Sequence, residues 1–123
     1  MDICRKTSDD ITKKARELLD TPYNSLSFNC LHFVRAVYTE VNLSLPPLKM
    51  NPGLDDLRSG LVPPGHVLYL RHKRDDTKRR FTHAAIVMED KKIIHCSYYF
   101  GEKVVISDID EILSLYDLAN PAS

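Results

Sequence analysis

The chain carries no net charge: 17 Lys and Arg stand against 17 Asp and Glu in 123 residues. That balance removes the footprint expected of a protein whose main partner is nucleic acid or an anionic membrane. Cysteine is scarce. Cys4, Cys30 and Cys96 are an odd number, show no framework spacing and form no Cys-x-x-Cys. A disulfide scaffold is thereby excluded, and at least one thiol is free or paired between chains. No stretch is long and apolar enough to span a bilayer, and there is neither an internal repeat nor a low-complexity linker. Met1-Asp2-Ile3-Cys4-Arg5-Lys6 holds no apolar core for a signal peptide. Three settings stay open: a cytoplasmic chain, one exported by a leaderless route, or one trimmed of its leader.

What is present reads as an ordinary globular chain, 43% hydrophobic and 28% charged. Residues 1–123 are expected to form one domain with a real core. The densest basic run, Arg71-His72-Lys73-Arg74 with Lys78-Arg79-Arg80, is interrupted by Asp75 and Asp76 and reads as a solvated loop.

Helical spacing of Ile11, Ala15, Leu18 and Leu19 predicts a first helix over 9–19, capped by Ser8 or Asp9 and ended before Pro22. A second helix is expected over 29–40, with Asn29 as N-cap and an apolar stripe of Leu31, Val34 and Tyr38 beside Phe33 and Val37. A short helix over 54–58 closes at Gly60. After Pro63-Pro64-Gly65 the pattern changes to strands over 66–71, 81–88, 92–97 and 104–106, then a late helix over 108–115. Helices first and an antiparallel sheet second is an α+β arrangement.

Cys30 opens the second helix, and His83 and His95 fall in consecutive strands. A free thiol has a pKa of about 8.5. Two devices lower it, the positive end of a helix and a neighbouring imidazolium. First-turn amides can also stabilise an oxyanion. His83 is the best candidate imidazole, because Ala84 and Ala85 beside it let a helix approach closely. His95 would orient it as the third member of a triad. Register decides whether it can. A three-residue loop at Glu89-Asp90-Lys91 sets His83 opposite Ser97 and makes His95 its same-face diagonal neighbour, roughly 5–8 Å away. A two-residue loop would put the histidines on opposite faces. The bland alternatives are a small core cysteine and structural histidines. A zinc centre of Cys30, His83 and His95 would suit the ligand types but matches no close-ligand spacing. Cys96, adjacent to His95, must point to the opposite face as packing.

With these pieces in order, the chain resembles the NlpC-type papain-like cysteine peptidases, which cleave bacterial cell-wall peptides. Ala15 to Tyr23 looks like the family's first helix and Thr-Pro-Tyr turn, and Asn29-Cys30-Leu31-His32-Phe33-Val34 like its nucleophile helix. Leu43-Ser44-Leu45-Pro46, Pro64-Gly65-His66, Thr82-His83-Ala84-Ala85 and Ile93-Ile94-His95-Cys96 resemble the motifs that follow. The resemblance implies a papain-like fold with the nucleophile helix packed on a C-terminal antiparallel sheet, no metal and no cofactor. It implies a cysteine hydrolase acting on a peptide or peptidoglycan stem peptide, with Cys30 as nucleophile, His83 as base and His95 as orienting residue. Tyr23 matches a family tyrosine that helps hold substrate or oxyanion. Asn29 and Leu31 replace the family's Asp and Ser, which help recognise the free amine of the stem peptide. Two other readings remain open: a thiol acyltransferase or lipid-processing relative, and an inactive binding module of the same fold.

Overall fold

The computed structural model describes residues 5–75 and 79–119. Cys4, Asp76 and Lys78 lie outside the described residues. Helix α1 (Arg5–Glu17) and helix α2 (Cys30–Glu40) come first, followed by a 3-10 turn (Leu48–Met50) and helix α3 (Leu54–Arg58). Strands β1 (Val67–His72), β2 (His83–Val87), β3 (Lys92–Ser97) and β4 (Lys103–Asp108) lead to helix α4 (Ile109–Leu115) and strand β5 (Tyr116–Leu118). This is the α+β order expected, a five-stranded antiparallel sheet in the order β4-β3-β2-β1-β5 with helices packed on it.

Helix α1 begins a turn earlier than its apolar spacing suggests. Ser8 does not cap it; it lies inside the helix, buried on the same stripe as Ile11, Thr12 and Ala15, and its hydroxyl donates to the Pro64 carbonyl. Helix α2 buries Phe33, Val34, Val37 and Tyr38. The Tyr38 hydroxyl donates to the Gly65 carbonyl at 2.6 Å, which fixes the helix to the turn that opens β1.

The strands alternate between two cores. Val67, Tyr69, Ala84, Ile86, Ile94, Cys96 and Val104 face α1 and α2. Leu68, Leu70, Ala85, Val87 and Ile93 face Leu57, Val62, Ile109, Ile112 and Tyr116 on the other side. A sheet covered on both faces explains why β2 is buried at every position and carries no polar alternation. The short β5 extends the sheet beyond β1, pairing His72 with Tyr116. Asn51 clamps that edge: its amide nitrogen donates to the carbonyls of Tyr69 and Ala119, at 2.9 and 3.0 Å, and its oxygen accepts from Tyr69 N–H at 2.9 Å.

The β2–β3 hairpin has the three-residue loop that the histidines require. Ile86 pairs with Ile94 and Val87 with Ile93, and the Met88 amide donates to the Lys92 carbonyl at 2.8 Å. Asp90 and Lys91 absorb the turn with φ of 59° and 58°. One end of the sheet therefore gathers the end of β1, the start of β2, the end of β3, the starts of β4 and β5, and the N-terminus of α2.

Candidate active site

Asn29 caps α2. Its side-chain oxygen accepts from the Leu31 and His32 amides, both at 3.0 Å, while the Asn29 amide donates to His32 Nδ1 at 3.1 Å. This reciprocal capping box holds two of the first-turn amides and leaves the Cys30 N–H. Leu31 is half-buried against the core on the helix side of the sheet.

Cys30 is half-buried, and its sulfur lies against the Ala84 amide, next in the chain to His83. Burial pushes the thiol up from its ordinary value, while the backbone amides of Ala84, Leu31 and Cys30 itself oppose the rise. The lowered thiol expected from the helix start is thus overturned. The reason is burial, which acts on the imidazoles as well. Burial, aided by His95, depresses His83 to about 3, and burial depresses His95 to about 4, so no imidazolium stands beside the sulfur at neutral pH.

His83 Nε2 and His95 Nδ1 are 2.8 Å apart, with ring centroids separated by 5.0 Å. His95 Nε2 reaches Ser107 Oγ at 3.0 Å. His83 is 4% exposed and His95 fully buried. His83 Nδ1 has no hydrogen-bond partner among the described residues. Three partners escaped the sequence reading. Ser107 sits on β4 opposite Ile93, one diagonal step from His95 on the same face. Tyr116 stacks on His83 at 4.9 Å with the rings 20° from parallel, and Phe100 meets His95 edge-on at 5.3 Å. The alternation of β4 assigns Ser107 to the histidine face, but nothing in its neighbours marks it out.

Tyr23 also reaches this end of the sheet. The chain before it runs along β4: the Asp20 amide donates to the Val104 carbonyl, the Val104 amide to Thr21, and the Tyr23 amide to Glu102, at 3.0, 3.0 and 2.8 Å. Its ring meets Tyr98 edge-on at 5.9 Å. Burial, with Cys30, Cys96, Tyr99 and Tyr98 nearby, raises its pKa, so the hydroxyl stays protonated and available as a donor. Cys96 faces the helices, away from His95, and its thiol donates to the Phe28 carbonyl at 3.6 Å. Among the described residues, no group of three His, Cys, Asp or Glu side chains is placed to hold a metal.

No family model matches the sequence, and no curated protein matches it. Solved structures do. NlpC1 from Trichomonas vaginalis aligns with TM-score 0.73 and 16% identity over 97% of this chain and 44% of that one. An NLP/P60-family protein similar to lipoprotein from Staphylococcus aureus subsp. aureus Mu50 aligns at 0.69 and 18%, covering 94% and 41%. The NlpC/p60 domain of the peptidoglycan hydrolase SagA aligns at 0.62 and 18%, covering 92% of this chain and 98% of that one. The chain thus spans less than half the length of the first two neighbours and nearly all of the third. The likeness is one of architecture, and the chain has the NlpC/P60 fold.

Proposed function

We propose that residues 1–123 act as one catalytic domain, a cysteine hydrolase that cleaves amide bonds in cell-wall peptides through Cys30, His83 and His95. The supporting observation is the hydrogen-bonded line Ser107–His95–His83, whose last residue precedes Ala84, the residue whose amide meets the Cys30 sulfur. The peptidoglycan hydrolase among the structural neighbours supports the substrate class.

One proton assignment serves catalysis. His95 donates from Nε2 to Ser107, His83 donates from Nε2 to His95, and His83 Nδ1 accepts. The resting pair is a neutral thiol and a neutral imidazole, since burial disfavours the charged form of each. Proton transfer therefore accompanies attack. The Cys30 sulfur bonds to the carbonyl carbon as its proton moves to His83 Nδ1, and the carbonyl π electrons pass to oxygen. The Cys30 N–H and the Tyr23 hydroxyl are the donors for that oxyanion. Collapse breaks the C–N bond, and His83 gives its proton to the leaving amine. Water then attacks the thioester while His83 takes its proton, releasing a carboxylic acid and the thiol. His95 stabilises the transient imidazolium by accepting at Nδ1. Asn29 and Leu31 flank the nucleophile in sequence, and the Asn29 oxygen is already engaged by the cap.

Digestion of peptidoglycan fragments, followed by mass spectrometry with Cys30→Ala as control, tests the reading. Hydrolysed stem peptides in the wild type alone are expected. Absence of cleavage of every wall peptide, with Cys30 still reactive, would favour acyl transfer instead.

A further inference from the structure

The β1–β2 connection is solvated as its charge pattern suggests, with Lys73, Arg74, Arg79 and Arg80 exposed, yet it is anchored to the sheet. Residues 71–80 carry six Lys or Arg against two Asp in a chain whose total charge is zero. Its described part is tied to the sheet: the Lys73 amide donates to the Leu115 carbonyl at 2.9 Å, the Arg74 amide to His72 Nδ1 at 3.1 Å, and the Asp75 amide to the His72 carbonyl at 2.9 Å. The Asp75 side chain is only 6% exposed and pairs at 3.4 Å with both Arg71 and Arg79. One carboxylate shared by two guanidinium groups restrains their positions. Arg74 has no ion pair among the described residues.

Arg74 and Arg79, with the Asp75 carboxylate between them in sequence, line an open pocket of about 480 Å³ whose other walls are His72, Thr82, Tyr99 and Tyr116. The pocket adjoins the histidines. The His72 ring lies 5.3 Å from Tyr116 and 5.6 Å from Tyr99, and Tyr116 stacks on His83 at 4.9 Å. Tyr116, a wall of the pocket, therefore touches the proposed base directly.

We propose that this pocket binds an anionic group of the substrate, a carboxylate or a phosphate, and so selects acidic acyl donors for Cys30. The inference rests on the hydrolase reading for its consequence, but the binding itself does not need turnover. Guanidinium forks suit both anions, and a pre-positioned arginine loses less freedom on binding than a solvated one. Pairing between Asp75 and Arg79 is the positioning device; Arg74 is the unshared donor.

The test uses full-length Cys30→Ala protein, which cannot turn over. Stem-peptide fragments with free carboxylates are titrated calorimetrically beside the same peptides with those carboxylates amidated, and inorganic phosphate is titrated separately. Amidation is expected to weaken binding at least about tenfold, with the Arg74→Gln, Arg79→Gln double variant losing that discrimination. Phosphate binding that the double variant loses, without discrimination among peptides, assigns the anion to a phosphate group. Arg74→Gln alone gives the same reading if the double variant is poorly folded, because it breaks no ion pair among the described residues. Equal binding of both peptides with no phosphate binding overturns the proposal, as does discrimination that survives in the variants. Wall-peptide hydrolysis by the wild type is scored separately, so loss of the hydrolase reading and loss of the anion pocket are distinct results.

Discussion

His83 Nε2 lies 2.8 Å from His95 Nδ1, and Ser107 holds the far nitrogen of His95 at 3.0 Å. Three side chains on the three adjoining strands β2, β3 and β4 thus form one hydrogen-bonded line that fixes the His83 imidazole. If this line positions a base, its members should matter in order of distance. His83→Ala should lower kcat on a wall peptide by about 10²–10⁴-fold. His95→Ala should lower kcat with little change in KM, and Ser107→Ala should do the same less severely. Steady-state kinetics checks the order, and a His95 variant that changes KM alone would argue for a substrate contact.

Acid should destabilise the fold through these rings. The folded-state values of His83 and His95 lie near 3 and 4, below the ordinary value near 6.5. Between those limits the unfolded chain binds protons that the folded chain refuses. Their contribution is complete above about pH 6.5 and lost as pH falls toward about 4 and then 3, each costing at most ~1.4 kcal/mol per pH unit. Denaturant unfolding at a series of pH values should show this slope, and His83→Asn should flatten it. An unchanged slope in the variant would place the acid sensitivity elsewhere.

Burial of Cys30, with His83 and His95 neutral, makes a second pH prediction. Its alkylation by iodoacetamide should climb through pH 8 and beyond without a plateau in the acid range. A plateau between pH 5 and 7 that disappears in His83→Ala would reveal a resting thiolate–imidazolium pair and contradict the neutral ground state.

Asn29 offers a stability test separate from chemistry. Asn29→Ala removes the acceptor for two amides and should cost about 1 kcal/mol, whereas Asn29→Asp keeps the cap and should cost little. Chemical denaturation distinguishes them, and equal losses for both would mean that the amide nitrogen, which donates to the Ser25 carbonyl at 3.3 Å, matters more than the oxygen.

The hairpin that aligns the histidines was legible because period-two alternation and loop length jointly determine which residues share a face, and Glu89-Asp90-Lys91 permits the required odd loop. Helix α3 was legible to the residue, bounded by Gly53 and closed by Gly60 with φ of 74°. Strand β5 was not. Tyr116-Asp117-Leu118 is too short to display a period, and only its pairing with β1 makes it a strand. The same pairing delivers Tyr116 to His83, so that stacking partner was equally hidden. The pKa of Cys30 escaped for another reason: a helix start is local and visible in sequence, but the burial that overrides it comes from strands more than fifty residues away. The basic run was legible as a solvated loop, since Lys73, Arg74, Arg79 and Arg80 are exposed, but nothing in the sequence marks the Asp75 side chain as buried beside Arg71 and Arg79.

The central claim is that Cys30 forms a covalent acyl intermediate. Its most direct test is mass spectrometry of protein quenched in acid during turnover of a wall peptide, with the adduct mapped to a residue. An adduct with the mass of the acyl portion is expected on Cys30, with neither adduct nor turnover in Cys30→Ala. An adduct on another residue such as Cys96, or hydrolysis that persists in Cys30→Ala, would contradict it.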